Sequence, residues 1–171
     1  MNLKILTRLV FGVLLIGFVT SCIEDNEYVP PTYEEEMALL DEYIDTLQNR
    51  GYNIESTDFG IYYAIDSVGE GDFPIYGDTC EVRYVGKFMD GTIFDASGNY
   101  TFEVVLGENQ VIEGWEYGLQ LFNKNAQGHL IIPSEFAYGS TGIRDSYGNY
   151  AIPPNTTIVF NIEMVEIKQG Y

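Results

Sequence analysis

The sequence predicts an α+β domain in which an antiparallel sheet with little helix follows one N-terminal amphipathic helix. Three observations carry that prediction. Residues 33–50 place Met37, Leu40, Ile44 and Leu47 at 3-4-3 spacing, which puts them on one stripe of an α-helix. From residue 59 the period changes: FGIYYAIDSV, TCEVRYVGKF, YTFEVVLG, AQGHLIIP and TTIVFNIEMVEI are β-branched and aromatic runs separated by Gly, Pro, Asp and Asn turns. The chain has 171 residues, and 150 remain once a leader of 21 is removed, enough for one domain with its own core.

The leader comes first. Lys4 and Arg8 form a basic start, and LVFGVLLIGFV (9–19) is an apolar run too short to span a bilayer as a mature helix. The run ends in Val19-Thr20-Ser21-Cys22, which resembles a bacterial lipobox: small residues before a cysteine that is lipidated and becomes the new N-terminus. The alternative is an ordinary secretory signal, residues 1–21, with a coincidental cysteine. Residues 22–32 then form an acidic, proline-punctuated tether after a lipidated Cys22. The expected location is the cell envelope, lipid-anchored, on the outer membrane, facing the periplasm or the surface. In some Gram-negative lineages an acidic run after the lipidated cysteine accompanies export to the outer face, and Glu24, Asp25 and Glu27 resemble that signal loosely.

The N-terminal helix occupies 33–51. Thr32 and Glu35 make a T-x-x-E capping box, Glu34, Glu35 and Glu36 complement the helix dipole, and Arg50-Gly51 closes it. Its stripe either docks on its own domain or serves as a dimer seam. Fewer than three heptads are short for an independent coiled coil, which favours docking and a monomer.

Composition excludes several functions. All 26 acidic residues remain after the leader goes, while Lys4 and Arg8 leave with it, so the formal charge moves from −18 to near −20. Nucleic-acid binding needs a Lys/Arg surface and is excluded. With Cys22 used by the anchor, Cys80 stands alone in an expected strand and reads as a small buried hydrophobe. The single histidine, His129, reads as a strand surface residue without a role. No cofactor is expected. Asp145, Ser146 and Asn149 carry oxygens, but their spacing matches no calcium loop, so no metal is expected either.

Two short helices are expected between strands, near Gly114–Leu121 and around Ser134–Ala137. The first poses a question. VIEGWEYGL (111–119) sets the only tryptophan between Gly114 and Gly118 at i, i+4 spacing, although each interior glycine costs a helix roughly 1 kcal/mol against alanine. Either something approaches that turn closely, or the indole is aimed rather than merely buried.

Six motifs then occur in order: RYVG (83–86), DGTIFDAS (90–97), TFEVVLG (101–107), VIEGWEYGL (111–119), IPSEFAYG (132–139) and IPPNTTIVFNIEM (152–164). In sequence and spacing they resemble the FKBP-type peptidyl-prolyl cis-trans isomerases, over roughly residues 59–168 within a domain of 59–171. The resemblance implies a twisted antiparallel sheet wrapped around one short helix, with an apolar pocket between them. It places Tyr84, Phe94, Asp95, Phe102, Val111, Ile112, Trp115, Tyr138 and Phe160 at the catalytic pocket, with Trp115 as its floor and Ile152 at the substrate-binding rim. It also implies that Asp95 is held by Tyr84, and that Tyr138 and the Ile112 N–H contact substrate carbonyls. The partners implied are proline-containing polypeptides, with FKBP-type macrolides as candidate inhibitors and contact with the membrane through the lipid anchor only.

The implied activity is isomerisation of prolyl bonds in exported proteins. Alternatives are a non-catalytic module that binds proline peptides, or an assembly protein on the envelope. The chain departs from the family after Tyr138, where GSTGIRDSYGNYAIPP is several residues longer than the compact form, so the 139–152 loop is expected to narrow substrate choice or cover the site.

Overall fold

The computed structural model describes residues 28–170; the leader, Cys22 and most of the tether lie outside the described residues. Helix α1 spans Tyr33–Asn49, with Thr32 as its N-cap and Arg50 as its C-cap. The capping box is complete: the Glu35 N–H donates to Thr32 Oγ1 at 3.2 Å, and the Thr32 N–H donates to Glu35 Oε2 at 2.8 Å. Strands follow as β1 Glu55–Ser56, β2 Tyr62–Ser67, β3 Thr79–Phe88, β4 Ile93–Ala96 and β5 Phe102–Val105. After the short helix α2, Glu113–Gly118, and a 3-10 turn at Leu119–Leu121 comes β6, Gln127–Ile132. A second 3-10 turn at Ser134–Phe136 leads to β7 Ile143–Arg144, β8 Tyr150–Ile152 and β9 Ile158–Lys168.

Seven strands form one antiparallel sheet in the order β1-β2-β6-β9-β3-β4, with β5 also paired to β3. Strand β3 is long enough to hold two partners on one side: Thr79–Val82 face β5, and Val85–Lys87 face β4. On its other side it pairs with β9 along its whole length, with a bulge between Glu81 and Val82. The expected α+β class is therefore observed, and each of the five β-branched and aromatic runs singled out from residue 59 onward contributes a strand. Three features were not anticipated: β4, the two-residue β1, and the β7–β8 hairpin within the longer loop.

The sheet is covered on both faces. Its inner face packs Cys80, Val82, Leu130, Ile132, Phe160, Ile162 and Met164 against α2 and the Leu119–Phe122 turn in the main core. Alternation turns Ile131 and Val159 to the outer face, where they meet Leu40 and Ile44 of α1 in a second, smaller core. Met37 and Leu47 pack against the same cluster. The apolar stripe of α1 is thus spent on this chain's own sheet rather than on a second helix. Each fully buried Leu or Ile of this kind stabilises by roughly 1.5–3 kcal/mol.

The glycine question in α2 has a steric answer. A Cβ at Gly114 would collide with the Ile132 side chain, and one at Gly118 would sit 2.6 Å from Leu130 Cδ1. Side chains of β6 fill the space where α2 lacks its own, so the helix that carries the tryptophan lies close on the sheet.

Candidate active site

The cavity between α2 and the open end of the sheet is built from six separate chain segments. Register brings them together. On β3, Tyr84 points inward and pairs with Ile162; Gly86, two residues on, pairs with Phe160 of β9 and Asp95 of β4. Phe102 opens β5 opposite Val82. Val111 and Ile112 lead into α2, which carries Trp115, and Tyr138 follows the Ser134–Phe136 turn. Tyr84, Phe94, Asp95, Phe102, Gln110, Val111, Ile112, Trp115, Tyr138 and Phe160 line a recess of about 370 Å³, within the roughly 300–1,000 Å³ typical of small-ligand sites.

Its walls stand nearly upright on its floor. The rings of Tyr84 and Phe160 lie 5.0 and 5.1 Å from the Trp115 centroid at 87° and 85°, and Phe102 lies 6.0 Å away at 78°. Phe94 meets Phe160 at 85°. Edge-to-face contacts are favoured for aromatic pairs, and here they lock one indole inside a ring of three aromatic walls. Trp115 is only 4% exposed. Its Nε1–H has no hydrogen-bond partner among the described residues.

Gly86 makes the closure possible. A Cβ there would sit 2.8 Å from both Phe160 Cε1 and Phe94 Cζ. The sequence offered this glycine only as the last letter of RYVG, without a reason for it.

Four polar side chains border the cavity: those of Tyr84, Asp95, Gln110 and Tyr138. The Tyr84 hydroxyl donates to Asp95 Oδ2 at 2.7 Å. Burial, then the hydrogen bond and charge of Asp95, push the Tyr84 phenol up to about 12. Burial also raises the Tyr138 phenol, with the Asp95 charge adding to it. Both hydroxyls therefore keep their protons at neutral pH and remain donors. The Ile112 carbonyl accepts from the Trp115 and Glu116 N–H groups, closing the first turn of α2.

All nine pocket residues named from the sequence line this one recess. Ile152, expected at the rim, is instead 6% exposed, sits in the main core and does not line the recess; its pairing with Ile143 turns it inward at the base of the hairpin. The 139–152 loop folds into that hairpin, stiffened by the Arg144 guanidinium 3.8 Å above the Tyr150 ring, and contributes no lining residue. It is therefore not a cover over the site in this conformation.

His129, expected at the strand surface, is largely covered instead. It lies on the outer face beneath Tyr52, with Nε2 2.8 Å from Asp66 and Nδ1 2.9 Å from Asn161. Cys80 is fully buried, and burial raises its thiol to about 12, so it is no nucleophile at neutral pH. Two residues escaped sequence reading. Gln110 lines the recess but belongs to a polar turn without a motif of its own. Glu36 is 1% exposed although it stands in a run of three glutamates.

Comparison with known proteins agrees with this geometry. A family model described as FKBP-type peptidyl-prolyl cis-trans isomerase matches residues 71–165. The chain is 36% identical over 119 residues to a probable FKBP-type peptidyl-prolyl cis-trans isomerase of Haemophilus influenzae, covering 70% of this chain and 47% of that protein. It is 33% identical over 144 residues to the FKBP-type isomerase FkpA of Escherichia coli, covering 84% and 47%. The chain thus spans about half the length of these curated relatives. Among solved structures, a peptidyl-prolyl cis-trans isomerase from Pseudomonas syringae superposes with a TM-score of 0.69 at 30% identity, covering 83% of this chain and 100% of that one. FkpA from Escherichia coli gives 0.66 at 31%, covering 80% and 61%.

Proposed function

The chain belongs to the FKBP-type peptidyl-prolyl cis-trans isomerase family, and from that premise we propose that it isomerises prolyl bonds in exported polypeptides, using the recess above Trp115. The observation that carries this reading is the near-perpendicular set of rings around the indole. A flat prolyl ring stacks on that floor, and Tyr84, Phe94, Phe102 and Phe160 close around it.

The chemistry asks little of the protein. Rotation about an X–Pro bond is opposed by a resonance barrier of about 18–20 kcal/mol, and no bond is made or broken. No nucleophile or proton relay is required; the site has only to favour the twisted amide over the planar one. The planar amide is the more dipolar form and is better solvated by water. An apolar, aromatic recess withdraws that solvation and raises the planar form relative to the twisted one. Each tenfold in rate needs only about 1.4 kcal/mol of such difference. The Tyr138 hydroxyl and the Ile112 N–H then orient the substrate by donating to its carbonyls, while Asp95 holds Tyr84 in place as a wall.

The reading is tested by the rate of cis-to-trans conversion of a proline tetrapeptide with the chain from Ile23 onward. Conversion well above the blank, lost in Trp115→Ala, is the expected result. A folded protein that quenches Trp115 fluorescence on adding peptide, with a rate equal to the blank, makes it a binding module instead.

We extend the proposal to the envelope, on the strength of the leader and the Val19-Thr20-Ser21-Cys22 sequence. Lipidated Cys22 anchors the domain, and the tether sets it off from the bilayer. Cys22→Ala is expected to move the protein from the membrane fraction to the soluble one; unchanged fractionation defeats the anchor.

A further inference from the structure

One buried ionisable side chain has no part in the recess. Glu36, on α1 and outside the segment shared with the family model, is 1% exposed. Its Oε1 accepts from the Ser134 N–H and from the Thr157 hydroxyl, both at 2.7 Å, and its Oε2 accepts from the Ser134 hydroxyl at 2.5 Å. Three donors converge and no acceptor does, which suits a group that only accepts. Burying a carboxyl is costly unless it is fully hydrogen-bonded. Here the bonds run to two segments that border the recess.

Ser134 begins the turn that delivers Tyr138. Its carbonyl accepts from the Ala137 N–H at 2.9 Å and from the Gly139 N–H at 2.8 Å, the residues on either side of Tyr138. Thr157 precedes β9, three residues before the wall residue Phe160. A second tie runs alongside. Asn155 Nδ2 donates to the Pro31 carbonyl at 2.8 Å, and the Asn155 N–H donates to the Gly139 carbonyl at 2.9 Å. One carboxyl group from the N-terminal helix therefore clamps the Tyr138 turn to the head of β9.

We propose that Glu36 is a positioning residue for Tyr138: by pinning Ser134 and Thr157 together it aims the phenol hydroxyl into the recess before substrate arrives. The inference rests on the isomerase reading of that recess. It makes α1 part of the isomerase unit rather than a spacer between anchor and domain. Misplacing a catalytic group by about 1 Å costs up to about 100-fold, so partial loosening of one orienting hydroxyl should cost about tenfold.

The test is a double-mutant cycle in the full chain, read as kcat/KM on a proline tetrapeptide. Glu36→Met keeps volume and helix propensity but leaves only a weakly accepting thioether, and should lower kcat/KM about tenfold. In the Tyr138→Phe background, which lacks the hydroxyl, the same change should cost less than about twofold. Glu36→Gln should retain most activity, because its carbonyl replaces Oε1 and the Ser134 hydroxyl can turn to accept from its NH2. An equal loss in both backgrounds, or a folded Glu36→Met protein with wild-type kcat/KM, overturns the proposal.

Should Glu36→Met not fold, Ser134→Ala removes one clamp bond and keeps the backbone ones, and the same cycle is run with it. Failure of the isomerase reading is told apart by Trp115 fluorescence titration with the same peptide. A wild-type chain that binds without turnover fails as an isomerase, yet supports positioning if Glu36→Met weakens binding only where the Tyr138 hydroxyl is present. A chain that neither turns over nor binds peptide overturns both.

Discussion

The Tyr84 and Tyr138 phenols are both pushed above the ordinary value, Tyr84 to about 12, by burial first and by Asp95 after it. Between pH 10 and about 12 the unfolded chain releases the Tyr84 proton and the folded one keeps it. The folded state is therefore favoured fully below pH 10 and loses stability as pH rises through that window. A wild-type minus Tyr84→Phe absorbance titration should show a phenol step near 12, and Asp95→Asn should move it down. A step at the ordinary value of 10 would mean that Tyr84 is solvated and not part of a closed wall. Below that window, up to about pH 9, kcat/KM should stay flat, since both donors remain protonated. At this scale the sequence revealed the aromatic residues through their motifs, because size and ring chemistry are visible in a letter. It was silent on Gly86, whose importance is a missing Cβ between two rings, and on Glu36. Three adjacent glutamates have the same chemistry, and only the docked helix separates the buried one from its exposed neighbours.

At the scale of the elements, α2 sets intrinsic propensity against close approach. Gly118→Ala should gain roughly 1 kcal/mol by propensity alone. The new Cβ would sit 2.6 Å from Leu130 Cδ1, a side chain with no exposure and no room to retreat, and overpacking of this kind costs about 1–3 kcal/mol. The balance should be a destabilised protein, seen as a lower urea midpoint at unchanged m-value. A midpoint raised by the substitution would show that the helix does not lie close on β6. The elements legible in the sequence were those with a strong period or chemical punctuation. The capping box and stripe of α1 gave its bounds to within two residues, and the long β-branched runs gave β2, β3, β5, β6 and β9. Strand β4 was not legible because it has four residues, none fully buried, and exists only through its pairing with β3. The β7–β8 hairpin was hidden for a related reason. Two- and three-residue strands carry no period, and the Arg144–Tyr150 contact that stiffens them is a tertiary fact. Ile152 was misplaced by the same gap: its apolar letter suited a rim or a core, and the hairpin's register decided for the core.

The molecule as a whole is an anion, with a formal charge of −18 across 171 residues, and three of the six lysines and arginines among the described residues are held in ion pairs with carboxylates. Arg83 pairs with Glu163, Lys124 with Glu166, and Lys168 with both Glu81 and Glu103. Exposed pairs of this kind contribute little stability, yet they remove positive charge from the field seen by an approaching peptide. Among the described residues no lysine or arginine lines the recess, whereas Asp95 does. Steering by a uniform field raises association rates tenfold or more at low ionic strength. Screening shortens its reach to about 10 Å at 0.1 M salt and about 3 Å at 1 M. A proline peptide flanked by lysines should therefore show a several-fold higher kcat/KM than one flanked by glutamates at about 10 mM salt, and the ratio should fall towards unity near 1 M. The same screening relieves self-repulsion, so the urea midpoint should rise with sodium chloride over that range. The two measurements separate two origins of preference. If the lysine-to-glutamate ratio holds constant while the midpoint climbs, the long-range field acts on stability alone, and discrimination lies in short-range contacts at the recess, where Asp95 is the charged group available to make them.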